Sequence, residues 1–210
     1  MKNISVIGLG SMGFGIAQSL IRSGYNVYGQ DKNTLQYKKL IEEGGLDADI
    51  PFGDLDAVII VVLNEAQTRD IIFGEEGIAE KLKKDTLVIV CTTVSPNFAK
   101  EMAAACENKE LLYLDAPISG GSIKSSQGKL SYMVSGSKNA LVAAKPILDS
   151  TSETVFEFGE VVGSGSAMKA VNQMLAGVHI AAMAEAITFG ITQGIEPERF
   201  LEVISKCAGS

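Results

Sequence analysis

"ISVIGLGSMGFGIAQSLIRSG", residues 4–24, passes from a β-branched run into glycines and then into apolar residues at helical spacing that stop at a glycine. A short buried strand, a glycine turn and an amphipathic helix are the first half of a strand–helix–strand unit, and this reading decides the fold. Gly8, Gly10 and Gly13 have the Gly-x-Gly-x-x-Gly spacing. The first glycine permits the tight turn, the second a close backbone approach to a pyrophosphate, and the third close packing of helix on strand. The helix N-terminus adds exposed N–H groups and a positive dipole end. Gly8, Leu9, Gly10, Ser11, Met12 and Gly13 are therefore a candidate dinucleotide cradle.

The same alternation continues outward. "NVYGQD" reads as a strand, "LQYKKLIEEGG" as a helix, "DAVIIVVL" as a strand, "TRDIIFGEEGIAEKLK" as a helix and "TLVIVCTT" as a strand. "LLYLDAPISGG" and "KLSYMVSG" add strands around a glycine-rich loop, "ALVAAKPILDST" adds a helix, and "TVFEFGEV" returns to strand. Continuous apolar strands between helices predict a parallel sheet covered on both faces, the doubly wound Rossmann-type α/β arrangement. The division predicted is a dinucleotide-binding domain over 1–163. Residues 164–210 then form a long interdomain helix and the beginning of an all-helical C-terminal domain.

In such a sheet the ligand lies beyond the carboxyl ends of the strands. Asp31 ends the second strand, 18 residues after Gly13, where a carboxylate accepts hydrogen bonds from an adenosine ribose. It would repel a 2′-phosphate, so NAD is expected over NADP, although Lys32 next to it offers a cation. A plain capping role for Asp31 before "KNT" also stands at this point.

Composition removes other classes. The 210 residues are 46% hydrophobic and 20% charged with a net charge of −7, enough for a sizeable core and poorly suited to neutralising nucleic-acid phosphates. The start "MKNISVIGLG" enters a strand without an apolar signal core, so a cytoplasmic protein is expected. Cys91, Cys106 and Cys207 are odd in number and widely spaced, which suits reduced thiols, and no metal-ligand set is apparent.

"GSGSAMKAVNQMLAG", residues 163–177, sets Lys169 near the start of a long apolar helix, where the dipole disfavours a cation. One reading is a solvated lysine whose stem covers apolar surface. The other is a lysine whose ammonium form is disfavoured by burial and by the helix terminus, and which can therefore work as a base.

Three motifs in order, "GLGSMG", "DAPISGG" at 115–121 and "GSGSAMKAVNQ" at 163–173, resemble the β-hydroxyacid dehydrogenases, the family of 3-hydroxyisobutyrate dehydrogenase and tartronate semialdehyde reductase. "VVLNEAQ" and "LAGVHIAAMAEA" look most like its L-threonate dehydrogenase branch, which acts on four-carbon sugar acids. The resemblance implies an NAD-dependent dehydrogenase of a small hydroxy acid with Lys169 as acid/base. It implies Ser119, Gly120 and Gly121 at the substrate carboxylate, Asn172 at a substrate hydroxyl, and Val62, Leu63 and Thr93 along the cofactor. Leu63 departs from the proline common in the family. Lys124 is a candidate for carboxylate recognition or a solvated loop lysine.

His179, in the apolar helix, is expected to be a buried, satisfied histidine and not a base. The helix from Met168 to about Gly194 is apolar nearly all round but carries His179 and Glu185, so a covering of protein, and no membrane, is expected. Family members continue for several helices beyond "CAGS", which makes a fragment the expected explanation. An uncovered helix would make the chain a homo-oligomer or poorly soluble. Within the family, 3-hydroxyisobutyrate and tartronate semialdehyde stand as alternative substrates; outside enzymes, a non-catalytic NAD-binding module does.

Overall fold

The computed structural model describes residues 2–209. Eight strands are β1 (Asn3–Ile7), β2 (Asn26–Gln30), β3 (Ala57–Ile60), β4 (Leu87–Val90), β5 (Leu112–Asp115), β6 (Ile118–Ser119), β7 (Leu130–Gly136) and β8 (Ser152–Glu157). The helices are α1 (Gly13–Arg22), α2 (Thr34–Glu42), α3 (Glu65–Phe73), α4 (Pro96–Glu107), α5 (Gly121–Ser126), α6 (Lys138–Thr151), α7 (Ser164–Thr192) and α8 (Pro197–Ile204). Residues up to Lys169 form one compact unit and those from Ala170 a second.

The strand order is β2-β1-β3-β4-β5-β7-β6, with β8 against β7. The chain leaves β1 for β2 on one side and returns to β3 on the other, so the strand order reverses beside the carboxyl end of β1. That end carries the glycine turn, where a doubly wound sheet opens its ligand crevice. Alternate residues of β3 and β4 serve the two faces. Ala57, Ile59, Leu87 and Ile89 join Ile4, Val6, Ile16 and Leu20 in one core, while Val58, Ile60, Val88 and Val90 join Ile72, Phe98 and Met102 in the other. Burial on both faces explains why these strands read as unbroken apolar runs.

Three expectations need correction. The sheet is parallel only from β2 to β5 and between β7 and β8; β7 runs antiparallel to β5 and β6. The helix expected over 68–83 is α3, ending at Phe73, because a Cβ on Gly74 would lie 2.4 Å from the Asp70 carbonyl oxygen and the chain leaves the helix there. Helix α4 is an element the periodicity did not supply. It starts with a Ser95 side chain that accepts the Phe98 N–H and with Pro96 in the first turn.

In the second unit α7 is largely exposed, with Met174, Leu175, Val178, Ile180, Phe189 and Ile191 open to solvent. By length and composition it is apolar enough to cross a membrane. His179 is exposed and not buried as expected, because the surrounding helix face carries no cover.

Candidate active site

The glycine turn is built by close backbone contacts. Gly8 has φ +92, a left-handed conformation that favours glycine, and a Cβ there would sit 2.1 Å from the Val61 carbonyl oxygen. A Cβ on Gly13 would lie 1.8 Å from the Gly8 carbonyl oxygen, so α1 can approach β1 only with glycine at its first position. Gly10 is the opposite case: nothing lies within 4 Å of its Cβ position. The protein makes no use of that space, which is what a close-approaching ligand requires.

Asp31 is tied to this turn. One carboxylate oxygen accepts the Leu9 N–H at 2.6 Å and the other the Asn33 N–H at 2.7 Å. The cap of α2 is supplied by Asn33, which accepts the Leu35 N–H, so Asp31 is not the N-cap of that helix. Each Asp31 oxygen keeps a lone pair for another donor. A cleft of ≈ 420 Å³ is lined by Gly8, Gly10, Asp31, Lys32, Val62 and Leu63 among others. Glycine backbone at one wall, a ribose-type acceptor at the other and open space over Gly10 fit a dinucleotide.

A second cleft of ≈ 370 Å³ shares Val61, Val62 and Leu63 with the first and adds Met12, Thr93, Ser119, Gly120, Gly121 and Lys169. Segments more than a hundred residues apart thus meet at the carboxyl ends of the strands. The N–H groups of Val62 and Leu63 are already taken, by Thr92 Oγ1 at 3.2 Å and Gln67 Oε1 at 3.0 Å. Those bonds fix the wall between the clefts, and the side chains form its surface. Gly120 and Gly121 have φ +133 and +74, which turns the backbone sharply after Ser119. Ser11 is exposed in the glycine turn, and the Met12 carbonyl accepts the Ser125 hydroxyl at 2.5 Å, joining that turn to α5.

Lys169 lines the second cleft and is only 6% exposed. Among the described residues it makes no ion pair or hydrogen bond. Burial pushes its pKa below the usual lysine value. Asn172 follows one turn later in α7, half-buried, in the second compact unit. Lys124 is not brought into the cleft: its stem packs against Gly120 and its ammonium lies 3.3 Å from Glu153 on β8.

Three cleft neighbours were not singled out by the sequence. Thr92 and Gln67 hold the wall, and Cys91 lies at the end of β4, its thiol kept protonated by burial and by the nearby Asp115. Cys91 and Thr92 share with Thr93 the signal of a position just beyond an apolar strand, whereas Gln67 lies within α3 and carries no such signal.

With this geometry in place, similarity to known proteins is informative. Residues 3–159 match the family described as the NAD binding domain of 6-phosphogluconate dehydrogenase. Residues 163–210 match the one described as NAD-binding of NADP-dependent 3-hydroxyisobutyrate dehydrogenase. An L-threonate dehydrogenase of Cupriavidus necator is 39% identical across 100% of this chain and 71% of its own length. One from Haemophilus influenzae is 42% identical over 99% of this chain and 70% of its own. A crystal structure described as 3-hydroxyisobutyrate dehydrogenase from Salmonella typhimurium superposes with a TM-score of 0.94 at 38% identity, covering 100% of this chain and 74% of that one.

Proposed function

The chain belongs to the 3-hydroxyisobutyrate dehydrogenase family of NAD-binding hydroxyacid dehydrogenases, and from that premise we propose that it oxidises a four-carbon sugar acid, L-threonate first, with Lys169 as general acid/base. The observation that carries the proposal is a buried lysine without a partner in a cleft beside the dinucleotide crevice. An unpaired buried ammonium is costly, so the environment shifts the amine toward its neutral form, the form a base needs.

NAD, when bound, supplies the acceptor for the hydride released by the carbinol carbon. Gly8 to Gly13 would hold its pyrophosphate and Asp31 its adenosine ribose, and Val62, Leu63 and Thr93 would contact it. Neutral Lys169 Nζ takes the hydroxyl proton in the oxidative direction and returns it in the reductive one. Ser119 Oγ and the turned backbone at Gly120 and Gly121 receive the substrate carboxylate. The account of NAD over NADP rests on Asp31, whose charge opposes a 2′-phosphate.

The L-threonate assignment is supported by the two relatives of that name. The Salmonella structure favours 3-hydroxyisobutyrate as the second reading. Steady-state NADH formation separates them: kcat/KM highest for L-threonate within a panel containing 3-hydroxyisobutyrate and glycerate, the alcohol that corresponds to tartronate semialdehyde, is expected, and highest for 3-hydroxyisobutyrate selects the second reading. The same reading makes the chain a soluble cytoplasmic homo-oligomer without membrane or nucleic-acid partners. The exposed apolar side chains of α7 support association, and Glu185 within it opposes lipid.

A further inference from the structure

Asp115 ends β5 with no solvent exposure, and it does not line either cleft. Its carboxylate is occupied by four donors. Oδ2 accepts the Gly163 N–H at 3.1 Å, the Ser166 N–H at 2.9 Å and the Ser135 hydroxyl at 2.9 Å; Oδ1 accepts the Ser166 hydroxyl at 2.6 Å. Ser135 Oγ in turn accepts the Gly165 N–H at 3.1 Å.

The N–H groups at a helix start have no partner inside the helix, and a local side chain usually satisfies one of them. Here three N–H groups around the start of α7 are satisfied from β5 and β7, through a buried carboxylate and the serine it orients. Backbone packing presses the same turn against the start of α4 and against β7. A Cβ on Gly163 would be 2.7 Å from the Pro96 carbonyl oxygen, and one on Gly165 2.3 Å from the Met133 carbonyl oxygen. Lys169 lies one turn beyond Ser166, so the clamp leaves its own rotamers as the main freedom of its amine.

We propose that Asp115 is the positioning residue of Lys169, clamping the first turn of α7 so that the amine enters the cleft at a fixed place. The inference rests on the acid/base role given to Lys169. Asparagine at 115 can keep the clamp: its oxygen takes the three Oδ2 bonds and its amide donates to Ser166 Oγ. Alanine leaves the Gly163 and Ser166 N–H groups without an acceptor.

The test compares Asp115→Ala, Asp115→Asn and Lys169→Ala for turnover, NAD binding and, in the Lys169→Ala background, rescue by methylamine. Displacing a reacting group by about 1 Å costs on the order of 100-fold. Asp115→Ala is therefore expected to lose about 30- to 100-fold in kcat with NAD affinity within about twofold, and Asp115→Asn to recover most of the loss. Methylamine is not tethered to α7, so Asp115→Ala should not lower the rescued rate. A rescued rate lowered as much as the parent's, or Asp115→Ala turning over within about threefold of the parent, overturns the positioning role. Should Asp115→Ala not fold, Ser166→Ala removes the Oδ1 bond alone; a kcat loss of a few fold supports the clamp and an unchanged kcat contradicts it. Full turnover by Lys169→Ala is a different result: it refutes the acid/base assignment itself.

Discussion

Two glycines of the same turn, Gly10 and Gly13, should fail in different ways when each is given a methyl group.

 The Cβ of Gly13→Ala meets the Gly8 carbonyl oxygen at 1.8 Å and its carbon at 3.0 Å. Ordinary contact begins near about 3.4 Å, so α1 and the turn must separate by more than an ångström, and overpacking of this kind costs about 1–3 kcal/mol. For a chain of this size each kcal/mol lowers Tm by about 2–4 °C. Gly10→Ala meets nothing within 4 Å, and its stability should stay within about 0.5 kcal/mol of the parent. Its methyl group instead enters the open space over Gly10 that the proposal assigns to the pyrophosphate. Losing one charge-assisted N–H bond to a phosphate costs about 1.5–3 kcal/mol, a rise in the Kd for NAD of about 10- to 150-fold. Thermal unfolding without nucleotide and calorimetric titration with NAD read the two effects separately. A Gly10→Ala protein that binds NAD within about twofold of the parent would refute the assignment of that space to the pyrophosphate.

Lys169→Met should lower turnover by about 10²- to 10⁴-fold and raise Tm by about 2–4 °C for each kcal/mol of relieved burial cost. The sign with pH follows from a folded-state pKa below the unfolded value: between the two the unfolded chain holds the extra proton, so the parent gains stability as pH rises. The advantage of Lys169→Met is therefore greatest below the folded pKa and shrinks toward 10.5, and an advantage that grows with pH contradicts the reading. NAD should bind at least about tenfold tighter than NADP, and Asp31→Ala should narrow that gap; equal affinities in the parent remove the role of Asp31. Lys124→Ala breaks an exposed ion pair with Glu153, worth about 0–1 kcal/mol; kcat and KM should remain at parental values, and a raised KM would return Lys124 to substrate recognition.

Local patterns were legible because local physics sets them. The β1 turn, the apolar runs of β3 and β4 and the place of Asp31 follow from spacing along a few residues. Strand direction is less accessible: β7 is as apolar as its parallel neighbours, and only the short path from β5 through β6 and α5 turns it antiparallel. Helix α4 carries its start signal in Ser95 and Pro96, but Asn97, Lys100 and Glu101 interrupt its apolar spacing. At the site, Lys169 could be singled out by its awkward place at a helix start, whereas Lys124 shows why charge near a glycine loop is weak information. Its partner Glu153 is 29 residues away in sequence. The clamp at Asp115 was hidden for the same reason, since its donors come from β7 and α7 and only the fold assembles them.

The most direct test of the account is NADH formation, followed by absorbance, from NAD and L-threonate by the parent and by Lys169→Ala, with NAD affinity measured for both. General acid–base catalysis contributes about 10²- to 10⁴-fold, so the account predicts turnover by the parent, a loss of that size in the variant and equal NAD binding. Turnover by Lys169→Ala at the parental rate would contradict it.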